Sequence, residues 1–307
     1  MKKLRILLLV LLISGLPSSN ITAGIHPVQE IMYLYAGRLP YLDFIEPYRA
    51  SLLALYELDN NRNVDKVVKL IDWYFANLNY PDRYNIDATV YDYHLRRDGR
   101  IFTKEEYDSI DGYSGVFLHL LLKYVELTGD LERVKNNWYK IEDIALTIPL
   151  LQEGDGLTIA LVTTNQKYLM DNCEAYGGIN AYLKLREMLG LYPQPSFERV
   201  RDNIKNGIMK RMYNKKDKIF VHTIENDVVY KTSWNAYYPD SYAQLFPIYY
   251  DLLTGDDNTI KYIWQRFEQK HAHKEKTFPV EQWVFYQLTR NKMQRQYDML
   301  FTDSSII

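Results

Sequence analysis

The chain has 307 residues, of which 47% are hydrophobic and 25% are charged, and its formal net charge at pH 7 is −2. Its 28 Tyr, 11 Phe and 5 Trp exclude intrinsic disorder, because disordered chains lack the aromatic side chains that build a core. A single Cys excludes a disulfide scaffold, and 14 Gly with 11 Pro exclude collagen-like and low-complexity classes.

The first 24 residues have the three-part pattern of a signal peptide. Lys2, Lys3 and Arg5 form a basic region, Ile6–Leu16 form an apolar region, and small or polar residues follow at 18–24. The apolar run is well short of the about 20 residues that a bilayer requires. We therefore predict that residues 1–24 direct export to the periplasm or the exterior and that residues 25–307 form a single domain. An uncleaved anchor remains the alternative.

The charge of the remaining chain argues against two classes of partner. Without the three basic residues of the leader the net charge becomes −5, and no cluster of Lys and Arg follows. Nucleic acids and anionic membranes attract basic surfaces. We expect no nucleic-acid partner and no stable membrane insertion after the leader is removed.

Apolar residues recur with a helical period along most of the chain. This predicts a short helix at His26–Arg38, four helical pairs, and a last helix at Val280–Phe301. The pairs are Phe44–Asn60 with Val64–Leu78, Asp111–Thr128 with Leu131–Leu151, Asp171–Leu189 with Phe197–Tyr213, and Pro239–Thr254 with Asn258–His271. Glycine at positions 129, 190 and 255 marks helix ends.

In the linkers between the pairs, apolar and polar residues alternate instead. Thr89–Ile101 alternates around Arg97-Asp98-Gly99, and Ile219–Ser233 alternates around Glu225-Asn226-Asp227, which predicts two β-hairpins. Leu157–Val162 is a further candidate strand.

A repeat organises these elements. The tetrapeptide Leu-Thr-Gly-Asp ends the first helix of a pair at Leu127–Asp130 and again at Leu253–Asp256. Repeated helical hairpins bury their apolar faces only against their neighbours, so they form a solenoid or a ring. We predict an all-α fold, an (α/α) toroid of five to six helical hairpins with short β-hairpins in the long linkers. Six hairpins are many for the residues left after the leader, which favours an incomplete ring with an open groove.

In three of the four predicted pairs, the first helix begins with an aspartate. Asp111, Asp171 and Asp240 would converge at the face of the ring where the long linkers emerge, and Glu174 lies on the same helix face as Asp171. Paired carboxyl groups in different environments can divide acid and base work. The alternative is that these residues cap helices, since Asp is a favoured N-cap and Asp171-x-x-Glu174 has the spacing of a capping box.

Aromatic residues precede each of these acids. Sugar rings stack on Trp and Tyr, so aromatic linkers beside carboxylates are typical of carbohydrate sites, although such rings also fill loop cores. Gly177 and Gly178, within a predicted helix, indicate that something approaches the backbone closely there.

Other chemistry has weaker support. Cys173 could act as a thiol nucleophile with His94, His119 or His222, but no active-site signature surrounds it. Two ligands at His271-x-His273 are poor evidence for a metal. With no phosphate loop and no dinucleotide fingerprint in the sequence, we expect neither a metal nor a cofactor.

Three stretches resemble the six-hairpin glycosidases, and more narrowly the uncharacterised exported bacterial proteins of that superfamily. They are Asp111-Gly-Tyr-Ser-Gly with Leu-Thr-Gly-Asp130, Tyr168-Leu-Met-Asp-Asn-Cys-Glu-Ala-Tyr-Gly-Gly178, and Trp234 with Tyr238-Pro-Asp-Ser-Tyr-Ala-Gln244. The resemblance spans Tyr56 to about Phe285. It implies an (α/α) toroid that cuts glycosidic bonds with acidic residues in its mouth. Unsaturated-uronyl hydrolases and polysaccharide lyases share this scaffold, so the fold does not determine the reaction.

We therefore expect an exported glycoside hydrolase that acts on a bacterial polysaccharide or oligosaccharide. Asp111, with Asp171 or Glu174, would supply the catalytic carboxyl groups. The expected substrate-binding residues are Asp240, Tyr91, Tyr93, Tyr113, Trp234, Tyr237, Tyr238 and Gln244. Two alternatives remain open: a non-catalytic carbohydrate-binding or polysaccharide-export accessory protein, and a polysaccharide lyase with Tyr113, Tyr242 or His222 as its base.

Overall fold

Helices dominate the structure, a computed structural model that describes residues 26–38, 43–96, 98 and 100–297. The predicted leader lies outside these residues. The helices are α1 (Pro27–Tyr33), α2 (Pro47–Asp59), α3 (Val64–Ala76), α4 (Ile110–Thr128), α5 (Leu131–Asn136), α6 (Trp138–Leu150), α7 (Leu169–Met188), α8 (Pro195–Gly207), α9 (Phe246–Tyr249), α10 (Asp257–His271) and α11 (Val280–Tyr297). A π-helical turn at Tyr237–Ser241 and a 3-10 turn at Tyr242–Leu245 lead into α9, and we call the whole stretch the 237–249 segment.

The helices form two concentric layers. Going round the inner layer, α2, α4, α7, the 237–249 segment and α11 each pack against the next, and α11 packs against α2. Helices α3, α6, α8 and α10 pack outside them. This is the predicted (α/α) toroid. The expectation of an incomplete ring is wrong for the described part of the chain, because the contact between α11 and α2 closes it.

The contact between α4 and α7 is a backbone contact. A Cβ atom on Gly115 would lie 2.3 Å from the main-chain oxygen of Glu174, and one on Gly178 would lie 2.5 Å from the Cα atom of Gly115. Gly177 faces the ring of Tyr250, whose Cδ1 would lie 2.1 Å from an added Cβ. The three glycines therefore allow the inner helices to close on a narrow axis, and the close approach expected at Gly177 and Gly178 is present.

The repeated tetrapeptide has a structural meaning. Gly129 and Gly255 have φ values of +72° and +92°, which an L side chain rarely adopts. The next residue then caps the following helix, since the carboxylate of Asp130 accepts from the N–H of Arg133 and that of Asp256 from the N–H of Thr259. The first copy thus ends α4 and begins α5, whereas the second ends the turn that follows α9 and begins α10.

Several tyrosines serve the core between the layers. Tyr74 stacks on Phe117 with ring centroids 3.6 Å apart, and Tyr182 stacks on Trp138 at 5.4 Å. Parallel and edge-on aromatic contacts of this kind add about 0.5–1.5 kcal/mol each to the burial of the rings.

Several helix boundaries differ from the predicted ones. Helix α2 begins at Pro47, where a missing N–H costs nothing. The predicted helix Leu131–Leu151 is broken at Asn137 into α5 and α6. The predicted helix Pro239–Thr254 is irregular before Pro247, which has no N–H to donate to the carbonyl four residues earlier, and its last helical stretch ends at Tyr249.

Short strands lie in the linkers. They are β1 (Phe44–Ile45), β2 (Tyr93–Leu95), β3 (Ile101–Thr103), β4 (Gln166–Tyr168), β5 (Tyr213–Asn214), β6 (Ile219–Phe220), β7 (Thr223–Glu225) and β8 (Val228–Val229). The sheet orders are β1-β2-β3, β4-β7-β8 and β5-β6, all antiparallel. Both predicted hairpins are present, as β2–β3 and β7–β8. Arg97 and Gly99 of the first turn lie outside the described residues.

The prediction of a strand at Leu157–Val162 is wrong. Its only ladder contact in the described residues is a single bridge between Thr158 and Gln152. The backbone of Thr158 is held instead by the side chain of Asn172, which accepts from its N–H at 2.8 Å and donates to its carbonyl at 3.0 Å.

We predict that Gly115→Ala disrupts the ring. The new methyl group would overlap the backbone of α7, which cannot yield as a flexible side chain can. We expect a loss of about 3 kcal/mol or more in the free energy of unfolding, above the usual cost of overpacking. Urea denaturation followed by circular dichroism measures it.

The matched control is Gly154→Ala, because a Cβ there has no heavy atom within 4 Å. If the two variants have the same stability, the close contact between α4 and α7 does not exist.

Candidate active site

A cavity of about 200 Å³ opens where the N-terminal ends of the five inner elements meet. Each element contributes residues to the wall of this cavity. The long linkers were expected to converge on this face. The lining residues are Glu46, Tyr48, Arg49 and Leu52 from α2 and its entry, Asp108, Ser109 and Tyr113 at α4, Met170 and Asp171 at α7, Tyr238 and Tyr242 from the 237–249 segment, and Glu281 and Gln282 from α11. We call it the mouth cavity.

A second cavity of about 360 Å³ adjoins the first. Glu46 and Asp108 belong to the walls of both. Its other lining residues come from the strands β1 to β3 and the chain that follows them: Phe44, Asp92, His94, Lys104, Glu106 and Tyr107. We call it the hairpin cavity.

The structure brings the three predicted catalytic acids together. A Cβ atom on Gly112 would lie 2.9 Å from Oε2 of Glu174 and 3.6 Å from Cγ of Asp171, so both carboxyl groups meet at this glycine. Asp171 reaches the mouth cavity, whereas Asp111 and Glu174 have no exposed surface and lie beneath it.

Asp111 is held by short hydrogen bonds. The hydroxyl of Thr158 donates to its Oδ2 at 2.5 Å, and the N–H of Gly112 donates to its Oδ1 at 3.0 Å. The residue lies inside α4, after the N-cap Ser109, so it does not cap the helix from outside.

Glu174 is bound on one side only. The hydroxyl of Tyr48 donates to its Oε1 at 2.6 Å, while Oε2 is buried without a partner in the described structure. Tyr48 itself stacks on Tyr113 at 5.3 Å. A capping box at Asp171-x-x-Glu174 is absent, because Glu174 bonds a tyrosine of α2 rather than the backbone at the start of α7.

Burial raises the pKa values of this group of acids. The pKa of Asp111 rises to about 7, that of Glu46 to about 7 and that of Asp92 to about 8, in each case chiefly because burial disfavours the charged form. The pKa of Asp171 lies well above its ordinary value for the same reason and because Asp111 and Glu174 are close. Carboxyl groups that remain protonated near neutral pH can donate a proton to a leaving group.

Sequence reasoning missed five acids of the two cavities: Glu46, Asp92, Glu106, Asp108 and Glu281. Glu46 and Glu281 stand at the starts of inner helices α2 and α11, which lack the Asp-containing pattern that begins the other inner elements. Asp108 lies three residues before Asp111, and Asp92 lies between two predicted tyrosines.

Two of the predicted substrate-binding tyrosines line the mouth cavity. The hydroxyl of Tyr113 donates to Asp92 at 2.8 Å, and the side chain of Tyr238 is 56% exposed. Tyr91 and Tyr93 lie elsewhere. The first is buried and its hydroxyl accepts from the N–H of Arg83, and the second packs edge-on against a tryptophan of α3.

The other four predicted binding residues do not line the mouth cavity. The carboxylate of Asp240 accepts from the N–H of Ser233 at 2.7 Å. The amide of Gln244 bonds the backbone of Phe220. Tyr237 stacks on Phe278 at 4.5 Å, and the carbonyl of Trp234 accepts from Ser241. All four side chains contact neighbouring parts of the protein.

Cys173 and His271 are the residues considered above for thiol and metal chemistry. Burial raises the pKa of the Cys173 thiol well above its ordinary value, which keeps it protonated and weakens it as a nucleophile. His271 faces the carbonyl of Trp234. Within the described ranges, no group of three or more His, Cys, Asp or Glu side chains could hold a metal ion, and no helix is long and apolar enough to cross a membrane.

No known protein family and no curated protein matches the sequence. Among solved structures, the chain is similar to the GH76 α-mannanase of Bacteroides thetaiotaomicron, with a TM-score of 0.52 and 8% identity over 90% of this chain and 81% of that one. It is also similar to a rhamnosidase from Klebsiella oxytoca with rhamnose bound, with a TM-score of 0.50 and 10% identity over 82% of this chain. The chain spans 48% of the rhamnosidase, about half its length. At these identities the likeness shows the fold, the (α/α) toroid of these glycoside hydrolases.

We predict that Asp111→Asn stabilises the protein at alkaline pH. The folded pKa of Asp111, about 7, exceeds the unfolded value, so its stabilising contribution is complete below about pH 4 and is lost as the pH rises through about 7. Asn cannot ionise and avoids this loss. We expect the variant to exceed the natural protein by about 2–4 kcal/mol at pH 8.5, since each pKa unit is worth about 1.4 kcal/mol.

Thermal and urea denaturation at pH 4.5 and 8.5 measure the difference. Asp65→Asn, on the exposed outer face of α3, is the control and should follow the natural protein at both pH values. A variant that loses stability in parallel with the natural protein would show that Asp111 ionises normally.

Proposed function

We propose that the protein is an exported glycoside hydrolase that binds a sugar in the mouth cavity and cleaves its glycosidic bond by carboxyl acid–base catalysis. The observation that carries this proposal is the meeting of carboxyl groups from different inner elements at the walls of one cavity. The similarity of the fold to a mannanase and a rhamnosidase supports the same reaction class.

The order of the ring suggests the catalytic pair. In a ring of five, α7 has α4 and the 237–249 segment as neighbours, so α2 and α11 face it across the mouth. Glu281 of α11 therefore lies opposite Asp171. A carboxylic acid and a carboxylate on opposite sides of a glycosidic bond can protonate the leaving oxygen and activate a water or attack the sugar directly.

The surroundings of the two acids suit different roles. Asp171 lies beside two further carboxyl groups, and burial and their charges hold its pKa well above the ordinary value, so it keeps its proton and acts as the general acid. Glu281 lies 3.7 Å from Nε of Arg49 on the opposite side of the mouth, and we assign it the role of base or nucleophile. Glu46 also contacts Arg49, at 3.0 Å, but burial raises its pKa to about 7, which makes it the poorer base at neutral pH.

Asp111 and Glu174 take a different part in this proposal from the one expected from the sequence. Both lie beneath the cavity and act through Asp171, whose pKa their charges raise. Tyr238 and Tyr113 present aromatic surface in the cavity wall, against which a sugar ring can stack.

We predict that Asp171→Asn reduces glycan cleavage by about 10²–10⁴-fold, the usual contribution of a general acid. The assay measures the release of reducing sugar from a panel of polysaccharides and oligosaccharides that includes α-mannans and rhamnosides. Glu281→Gln should show a loss of similar size.

Asp65→Asn is again the matched control, because it makes the same chemical change on an outer helix. If the Asp171 variant keeps full activity on every glycan that the natural protein cleaves, Asp171 is not the acid. If the natural protein binds sugars and cleaves none, it is a carbohydrate-binding protein instead.

Export is a separate part of the proposal and rests on the pattern of residues 1–24. Expression of the full chain in a bacterium, followed by N-terminal sequencing of the protein from the periplasm or medium, tests it. A mature chain that begins near residue 25 is the expected result, and retention of the intact chain in the cytoplasm would contradict it.

A further inference from the structure

The two cavities have a strong imbalance of charge. Their walls contain six acidic side chains from four of the five inner elements and the β2–β3 linker: Glu46, Asp92, Glu106, Asp108, Asp171 and Glu281. Two basic side chains, Arg49 and Lys104, accompany them, with His94 at the edge. The remaining titratable groups of the walls are phenols: Tyr48, Tyr107, Tyr113, Tyr238 and Tyr242.

The floor of the mouth cavity adds to this imbalance. Asp111 and Glu174 lie directly beneath Asp171 with no exposed surface. The Oε2 atom of Glu174 is buried and has no hydrogen-bond donor within the described residues. Because Glu174 has no exposed surface, this oxygen does not line the cavity, and a further negative charge beside it is unfavourable.

The protein supplies little positive charge to offset these acids. The N-termini of α2, α4, α7 and α11 each contribute about half a positive charge, which falls off within the first turn. Arg49 is shared between Glu46 and Glu281. Consequently, several carboxyl groups remain protonated at neutral pH, as the raised pKa values of Asp92 and Asp171 indicate.

We propose that the mouth cavity binds sugars that carry a free, protonated amino group. This rests on the proposed function for the place where the sugar binds. An ammonium group offers three N–H donors and one positive charge, which suit walls that carry six carboxyl groups and two basic side chains. A uronic acid would add a further carboxylate to the same walls, so the site disfavours it.

The geometry also links binding to proton release. When the ammonium group enters, an adjacent carboxylic acid loses its proton to the solvent and becomes the carboxylate that pairs with it. One ammonium ion bound and one proton released leave the charge of the cavity unchanged. A neutral sugar provides no such exchange and binds without proton release.

Isothermal titration calorimetry tests this directly. The probes are glucosamine, galactosamine and mannosamine, each compared with its N-acetylated form and with the matching uronic acid, so that no linkage has to be assumed. Titrations at pH 6.5 in two buffers of different ionisation enthalpy give the number of protons released. We expect at least one amino sugar to bind at least tenfold more tightly than its N-acetylated form and to release about one proton.

Two variants examine the charges themselves. Asp108→Asn and Glu281→Gln keep the shape of the walls and remove one carboxyl group each, so the preference for the amino sugar should fall several-fold. Asp65→Asn should leave it unchanged. Raising the salt concentration should weaken binding of the amino sugar but not of the N-acetylated form.

The outcomes separate this inference from the proposed function. If no amino sugar binds more tightly than its N-acetylated form, or if binding releases no proton, the inference is wrong. Cleavage of neutral glycans with rejection of amino sugars would overturn it and leave the hydrolase proposal intact. Proton-linked binding of amino sugars without cleavage of any glycan would support it and overturn the hydrolase proposal.

Discussion

The backbone contact between α4 and α7 is the constraint on which the rest of the structure depends. Because Gly115 and Gly178 have no side chains, the two helices approach more closely than any other inner pair could with ordinary residues between them. The ring can then close with five inner elements. The same approach encloses Asp111 and Glu174 beside Asp171, where water cannot stabilise three charges. Close packing and retained protons are therefore one property of the fold.

This constraint also divides the tyrosines. Those between the layers, such as Tyr74 and Tyr182, fill the core as large apolar side chains. Those at the N-terminal ends of the inner helices, such as Tyr48 and Tyr113, place a hydroxyl against a carboxyl group and a ring against another ring. Tyrosine suits a place that must be both dry and polar, because its ring excludes water while its hydroxyl remains a donor.

The sequence was informative wherever the signal was local. The helical period and the Leu-Thr-Gly-Asp repeat predicted the paired helices, because glycine at a positive φ and aspartate at an N-cap act within a few residues. The meeting of Asp111, Asp171 and Glu174 followed from the repeat. Their burial did not, because it depends on a contact between residues 115 and 178, for which no local pattern exists.

The missed acids show the same limit. Glu46 and Glu281 lie at helix starts that lack the Asp-containing pattern of the other inner helices, so only closure of the ring reveals that they face the same cavity. The sequence pattern predicts a regular helix where the 237–249 segment is irregular. Gln244, expected to face the substrate, bonds the backbone of a neighbouring strand instead. Whether a residue lines the cavity or packs behind it therefore depends more on its place in the closed toroid than on its residue type. Tyr250 has a consequence of this kind, since its ring lies on Gly177 and is buried near Glu174. A side chain at position 177 would displace this ring, so a substitution outside the mouth cavity would change the surroundings of a carboxyl group beneath it.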